Sequence, residues 1–201
     1  MFNFYAESDS VSDGNYMTPM LRKINDAVFV VDESIVQIGV EHLSFLKQQA
    51  LLSYRKRARI CTHRSNDDAL HEMLIAISAD SYIHPHKHIN KVESFHIVEG
   101  LVDVVVFDDF GGVIDVVELG DASTGKNFYY RLTDSLFHSL LIYSDFLVVH
   151  EVTNGPFVEN ETILAPFAPS ESNCDDVHTY IEDVGRAVKA CQLINQEKCT
   201  K

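Results

Sequence analysis

A run of short apolar stretches between residues 70 and 153 constrains the fold of this chain most strongly. The stretches are MLIAIS, ESFHIV, LVDVVVF, VIDVVEL, FYYRL, FHSLLIY and FLVVHEV. Turn-forming residues, such as Glu99-Gly100 and Gly120-Asp121, punctuate the stretches. These intervals are too short for the crossovers that join parallel strands. The pattern therefore predicts a mainly β chain whose antiparallel strands form a sandwich or barrel.

The chain on either side of this region predicts a different organisation. Apolar residues at helical spacing predict one helix over residues 38–54 and an amphipathic C-terminal helix over residues 177–195. VFVV at residues 28–31 predicts a short strand, and the proline-rich residues 154–171 predict an extended loop. The expected division is a flexible N-terminal arm at 1–26, a strand-and-helix extension at 27–58, the β-barrel at 59–171 and the C-terminal helix at 172–201.

Charge and composition exclude several classes of function. The formal net charge is -14, and an acidic surface repels phosphate backbones, so nucleic acid is not an expected partner. No stretch approaches the roughly 18 apolar residues that cross a membrane. The N-terminal residues lack the basic-then-apolar order of a secretory signal, and the four cysteines lack CxxC spacing. We therefore expect a cytoplasmic protein with free thiols and no membrane contact.

The histidines are concentrated in one region, which predicts a metal site. Six of the ten lie between residues 63 and 96. His86 and His88 are two residues apart and share one face of a strand, Glu93 follows after a short bend, and His138 lies on a distant strand. Three imidazoles and one carboxylate suit one divalent transition metal, Fe, Mn, Zn or Ni, with positions left open for water or substrate.

This spacing resembles the first sequence motif of the cupin superfamily, in which HxH is followed by four residues, Glu, six residues and Gly. His86, His88, Glu93 and Gly100 match it completely. The family motif has an earlier glycine where this chain has Asp80. The resemblance implies an antiparallel cupin (jelly-roll) β-barrel with N-terminal and C-terminal helical extensions.

A longer resemblance, over residues 28–171, is to the WbuC-type cupin fold metalloproteins, which are bacterial proteins often encoded with surface-polysaccharide genes. It implies that His86, His88, Glu93 and His138 are the metal ligands. The segments that carry it are RKRARICTH (55–63), HEMLI (71–75), PHKHINKVESFHIVEG (85–100), YRL (130–132), FHSLLIYSDFLVVHEVTNGPF (137–157) and APFAPSE (165–171).

Other polar residues near these segments are candidates for binding and catalysis. Arginine suits a bidentate grip on phosphate or carboxylate, tyrosine can stack on a sugar ring or donate a proton, and a buried glutamate can act as a general base. His84 is expected to line the site less readily, and His96 should face away from the ligands. The candidate substrate-binding residues are Arg57, Arg59, His63, Tyr82 and Lys91, and the candidate catalytic residues are Glu72, Tyr130 and Glu151.

These observations lead to one leading hypothesis and two alternatives. The first is a metal-dependent isomerase or epimerase that acts on a sugar or sugar nucleotide in bacterial surface-polysaccharide biosynthesis. The alternatives are a non-haem iron dioxygenase and a non-catalytic metal- or sugar-binding cupin. In each case the partner is a small molecule, and edge strands of the barrel favour a homodimer.

Overall fold

Strands hold more residues than helices in the computed structural model, which describes residues 20–199. Most of the predicted arm, residues 1–19, lies outside the described residues. The helices are α1 (Val40–Leu52) and α2 (Cys174–Cys199). The strands are β1 (Leu21–Asn25), β2 (Val28–Val31), β3 (Arg57–Cys61), β4 (Leu70–Ser78), β5 (His86–His88), β6 (Glu93–Glu99), β7 (Leu101–Phe107), β8 (Val113–Gly120), β9 (Tyr129–Leu132), β10 (Phe137–Ile142), β11 (Phe146–Asn154) and β12 (Thr162–Leu164).

The strands form two sheets that face each other. One sheet has the order β1-β2-β3-β4-β11-β6-β9, and the other has the order β12-β5-β10-β7-β8. The pairings are antiparallel except for β2 with β3, which is parallel. Strands distant in sequence, such as β4 and β11, are neighbours in the first sheet. The predicted antiparallel cupin (jelly-roll) β-barrel with helical extensions is therefore confirmed.

Strand alternation on β11 divides the apolar side chains between two cores. Leu147 and Val149 point between the sheets, where they pack with residues such as Phe95 and Val104. Val148 points to the opposite face of the same sheet and packs against α1. All three β11 side chains are fully buried. This strand therefore reads as a continuous apolar run, because both of its faces are covered.

Helix α1 covers the outer face of the first sheet through a narrow stripe. Leu46 and Ala50 are fully buried there, as the predicted periodicity requires. Val40 and Tyr54, near the two ends of the predicted helix at 38–54, are 77% and 85% exposed. Val40 is the first helical residue and Tyr54 lies beyond the last one, so neither packs against the sheet.

Helix α2 covers the outer face of the second sheet. Val184 and Val188 pack against Val105 and Phe107 in a third apolar cluster. Further along α2, the Gln192 amide donates hydrogen bonds to carboxylate oxygens on β7 and β8, at 3.1 Å each. Among the described residues, no helix combines the length and apolar character needed to cross a membrane.

The structure adds two strands where the sequence predicted irregular chain. Residues 21–25, expected to belong to the arm, form β1, which pairs with β2. Arg22 makes a two-pronged ion pair with Asp32, at 2.7 and 2.9 Å. Within the predicted loop at 154–171, β12 pairs with β5. Each strand spans five residues or fewer, too few to show a clear alternation of apolar and polar residues.

The turn between β6 and β7 gives a test of the fold. Gly100 has a φ of +102°, and a Cβ there would lie 2.4 Å from the carbonyl oxygen of Phe146. We expect Gly100→Ala to lower the free energy of unfolding by at least roughly 1–3 kcal/mol. Gly185→Ala, on α2 with no atom within 4 Å of the added Cβ, is the control. It should be neutral or stabilise by up to about 1 kcal/mol. Urea unfolding compares the two, and equal effects would contradict this account.

Candidate metal centre

Four side chains converge on one point at the end of the barrel interior. His86 and His88 project from β5, His138 projects from β10, and Glu93 is the first residue of β6. His86 and His138 are directly opposite each other in the β5–β10 pairing. One ligand atom from each of the four residues can be chosen so that all lie within 4.8 Å of one another. The set could therefore hold a metal ion.

Backbone carbonyls orient two of the imidazoles. Nδ1 of His86 lies 2.9 Å from the carbonyl oxygen of His84, and Nδ1 of His138 lies 3.0 Å from that of Leu136. A carbonyl oxygen can only accept a hydrogen bond, so each Nδ1 carries the proton. In the neutral tautomer, each Nε2 then keeps a free lone pair, which is the form that binds a metal.

His88 is braced by a side chain from the strand that the sequence did not reveal. Its Nδ1 lies 3.1 Å from Oγ1 of Thr162, the first residue of β12. The register of β12 with β5 places Thr162 directly opposite His88. The brace therefore depends on the return of the chain to the barrel after β11.

Glu93 supplies the negative charge and is 5% exposed. Its Oε2 lies 3.4 Å from Nε2 of His88, and its Oε1 lies 3.4 Å from Nε2 of His138. Oε1 of Glu93 and Nε2 of His138 are buried, and apart from this long contact with each other they have no hydrogen-bond partner among the described residues. Leaving two such atoms unsatisfied is costly. A cation bound among the four residues would satisfy both atoms, so the donor set fits a divalent metal.

Two of the four residues have protonation states that suit a metal. His138 differs: burial acts to lower its pKa, but the contact with Glu93 outweighs it and raises that pKa. Burial lowers the pKa of His86 to about 4, and the neighbouring His138 acts in the same direction. Burial acts to raise the pKa of Glu93, but contacts with His138 and His88 outweigh it and hold that pKa well below its ordinary value. Neutral imidazole and ionised carboxylate are the forms that bind metals. At neutral pH, His86 and Glu93 need not lose a proton first.

A cavity of about 440 Å³ opens beside the four residues, and it is called the main cavity below. Ile75, Ile77 and Phe95 give it an apolar wall, while Arg59 and Glu151 add polar groups. Asn25, Ala27 and Val28, at the turn between β1 and β2, also line it. The sequence had no motif to mark that turn, which reaches the cavity only through the pairing of β2 with β3.

The two predicted arginines, Arg57 and Arg59, differ in their surroundings. Arg57 lines the main cavity, but its guanidinium donates to Oε1 of Glu171 at 3.0 Å and to the carbonyl oxygen of Tyr82 at 3.2 Å. Arg59 is exposed, and no carboxylate of the described residues lies within 4.0 Å of it. Arg59 therefore has the freer charge for a ligand. Nothing in the sequence predicted Glu171 as the partner of Arg57.

Glu151 lies in the cavity wall, as predicted for a catalytic residue. Its position opposite Phe95 in the β11–β6 pairing turns its side chain to the same face as Glu93. Burial raises the pKa of Glu151 to about 8, and the nearby Glu93 carboxylate adds to the shift. At neutral pH the carboxyl group is protonated and can donate a hydrogen bond or a proton.

Three other predicted residues do not line the main cavity. Glu72 points to the outer face of β4, where its Oε1 lies 3.7 Å from Nε2 of His150. The Tyr82 hydroxyl donates to the carbonyl oxygen of Pro169 at 3.1 Å. Tyr130 is 7% exposed and packs in the core beside Phe95. In the β4–β11 register, Glu72 is the neighbour of the residue that lies opposite Glu151. Neighbouring residues on a strand point to opposite faces, so Glu72 points outwards.

His63, His84, His96 and Lys91 do not join the ligand set. His63 and Lys91 line a second, smaller cavity. Nε2 of His84 lies 3.1 Å from the carbonyl oxygen of Ala165, so its ring is held away from the ligands while its own carbonyl orients His86. His96 is exposed on the outer face, as strand parity predicts.

One protein family, of unknown function, matches part of the sequence. Residues 38–119 match a family described as "Domain of unknown function (DUF6016)". No curated protein matches the sequence. The assignment to WbuC-type proteins stays a prediction.

Similar solved structures include cupin barrels. A protein from Shewanella oneidensis is 13% identical with a TM-score of 0.48, over 64% of this chain and 85% of that one. A cupin 2 conserved barrel domain protein from Rhodopseudomonas palustris is 13% identical with a TM-score of 0.42, over 63% and 77%. A variant of the salicylate 1,2-dioxygenase from Pseudoaminobacter salicylatoxidans, in complex with gentisate, is 14% identical with a TM-score of 0.49, over 64% and 37%. At these identities none of them assigns an activity to this chain.

Removal of one imidazole should abolish metal binding. The wild-type protein, purified without a metal-affinity tag, should carry about one divalent transition metal per chain. His138→Ala should lose it, because the remaining ligands no longer enclose the ion. His96→Gln, on the outer face of the strand that begins with Glu93, should keep it. Elemental analysis measures the three proteins, and equal metal content in His138→Ala would refute the ligand assignment.

The raised pKa of Glu151 predicts a pH dependence of the metal-free protein. A carboxyl whose pKa rises on folding stabilises the fold below its ordinary pKa, 4.5, and this contribution is lost as the pH rises through about 8. Stability in chelator should therefore fall between pH 5 and pH 9, by roughly 1–3 kcal/mol from this group. Glu151→Gln should flatten that fall, and Glu72→Gln should not. Thermal melts across the pH range measure it, and identical profiles would contradict the assignment.

Proposed function

We propose that this protein is a metal-dependent enzyme that acts on a small anionic molecule in the main cavity. The observation that carries the proposal is the position of the four candidate metal ligands. His86, His88, Glu93 and His138 all line the main cavity of about 440 Å³. Ligands that border open space leave positions for a substrate, as catalytic metal sites require. A purely structural site would be enclosed by protein atoms.

The bound metal would act as a Lewis acid that polarises a carbonyl or hydroxyl oxygen of the substrate. Arg59 supports the choice of an anionic molecule, because its guanidinium reaches the cavity without a carboxylate partner within 4.0 Å among the described residues. Arg57 is less suited, because Glu171 already holds it. A guanidinium binds carboxylate and phosphate groups through two parallel hydrogen bonds.

Glu151 is the residue that we propose to hold and move the proton. It lines the main cavity and carries its proton near neutral pH, since burial raises its pKa to about 8. A group whose pKa lies near the working pH is suited to general acid–base catalysis. Ile75, Ile77 and Phe95 line the same cavity and exclude water from the reacting groups.

The sequence resemblance adds a substrate class to this proposal. It favours a sugar or sugar nucleotide and an isomerase or epimerase reaction in bacterial surface-polysaccharide synthesis. Of these, a sugar nucleotide carries phosphate groups that Arg59 could bind. The homodimer is likewise a proposal, supported by the position of β1 at the end of the seven-stranded sheet.

A binding panel with two variants tests the proposal. The metal-loaded protein is screened by thermal shift against sugar phosphates, sugar nucleotides and small carboxylates. Arg59→Met should weaken binding of the compound that responds by about 10- to 100-fold, the loss expected for a hydrogen bond to a charged group. Arg186→Met, a change on the exposed face of α2, is the matched control and should bind normally.

Turnover separates catalysis from binding. With the responding compound, Glu151→Gln should still bind but lose turnover by about 10²- to 10⁴-fold, the usual contribution of a general acid or base. Wild-type protein that binds no member of the panel, or Arg59→Met that binds as well as wild type, would overturn the proposal. Bound iron with substrate-dependent oxygen uptake would instead favour the dioxygenase hypothesis.

A further inference from the structure

A second cavity of about 190 Å³ lies beside the metal centre. It shares part of its wall with the main cavity, and the shared residues are Arg59, His88, Glu93 and Glu151. Two of these are metal ligands. The four-residue centre is therefore bordered by two cavities, one on each side of the shared wall. The second cavity is called the side cavity below.

The side cavity is lined by cationic and hydrogen-bonding groups as well as by Glu93 and Glu151. Lys91 lines it together with Arg59, and the ammonium group of Lys91 lies 5.0 Å from the centre of the Phe157 ring. No carboxylate of the described residues lies within 4.0 Å of Lys91. Asn66 and Thr153 add polar side chains to the same wall. Two cations without carboxylate partners, beside hydrogen-bond donors, suit an anionic oxygen group.

The wall away from the metal contains two stacked histidines, one half-buried and one buried. His63 and His71 line the side cavity as a parallel pair, with ring centres 4.2 Å apart and ring planes 6° apart. Nδ1 of His63 lies 3.1 Å from the carbonyl oxygen of Glu72. His71 is 4% exposed, and its buried Nε2 has no hydrogen-bond partner among the described residues.

The two cavities differ in size, and each size suits a different part of a ligand. At about 440 Å³ the main cavity falls within the usual range for a small-molecule site, whereas about 190 Å³ is below that range. The side cavity therefore suits one small group rather than a whole substrate. Since Arg59 borders both cavities, a single guanidinium can contact a molecule that extends from one to the other.

We propose that the side cavity is a separate subsite for a carboxylate or phosphate group, held by Lys91 and Arg59. The rest of the ligand extends past the shared wall to the metal centre and the main cavity. This inference rests on the proposed function, because it names where the anionic group of the substrate binds. It adds Lys91, which does not line the main cavity, as a residue that determines specificity.

Titration calorimetry tests the subsite with inorganic phosphate and with malonate, using zinc-loaded protein. At least one of the two anions should bind, and the tighter one identifies the anionic group. Lys91→Met should weaken its binding about tenfold with unchanged zinc content, because a charged hydrogen bond is lost. Lys91→Arg keeps the charge and should retain most of the affinity. Lys126→Met is the matched control, since Lys126 pairs with Glu118 outside both cavities.

Failure of the subsite can be distinguished from failure of the proposed function. If neither anion binds, or if Lys91→Met binds the anion as tightly as wild type, the subsite is overturned. In that case normal zinc content and a response in the main-cavity panel leave the proposed function standing. If the anion binds in a Lys91-dependent manner but the wild-type protein holds no metal, the subsite is supported and the metal-dependent reaction is overturned.

Discussion

The site depends on the burial of the Glu93 carboxylate and on its contacts with two histidines. Its side chain is almost completely enclosed, and an isolated charge in such a place is costly. His88 and His138 reduce that cost, and each lies 3.4 Å from one of its oxygens. The contact between Glu93 and His138 is too long for a strong hydrogen bond, so the charge stays incompletely compensated until a cation binds. Metal binding and local stability are therefore coupled at this end of the barrel.

The two-sheet architecture keeps these charged groups in place. The first sheet buries apolar side chains on both of its faces, against the second sheet and against α1. Close packing on both sides resists movement of β6 and β11, the strands that carry Glu93 and Glu151. The second sheet contributes the three histidines from β5 and β10. The ligand set thus spans both sheets, and its geometry depends on how closely the sheets pack.

The cationic side chains around the metal centre fall into two groups, those paired with a carboxylate and those without such a partner. Glu171, from the segment before α2, holds Arg55 and Arg57, at 2.7 and 3.0 Å. Arg59 and Lys91 have no such partner within 4.0 Å among the described residues, and both border the side cavity. This difference arises because the segment before α2, which carries Glu171, passes close to Arg57 but not to Lys91. Electrostatic selection of a ligand would therefore act on the side of the centre that this segment leaves open.

The sequence by itself predicted most strands of the barrel and the turns between them from local periodicity, but not β1 or β12. It also made His86, His88, Glu93 and His138 the candidate ligands. Residues two apart on a strand share a face, so His86 and His88 had to converge, and His96 had to point away from Glu93. The same rule could not place Glu72, Tyr82 or Tyr130, because each needed the pairing partner or the neighbouring segment to be known. Only the tertiary structure decided that Thr162 braces His88 and that Glu171 neutralises Arg57. Those contacts join residues 74 and 114 positions apart, and no local pattern carries information over such distances.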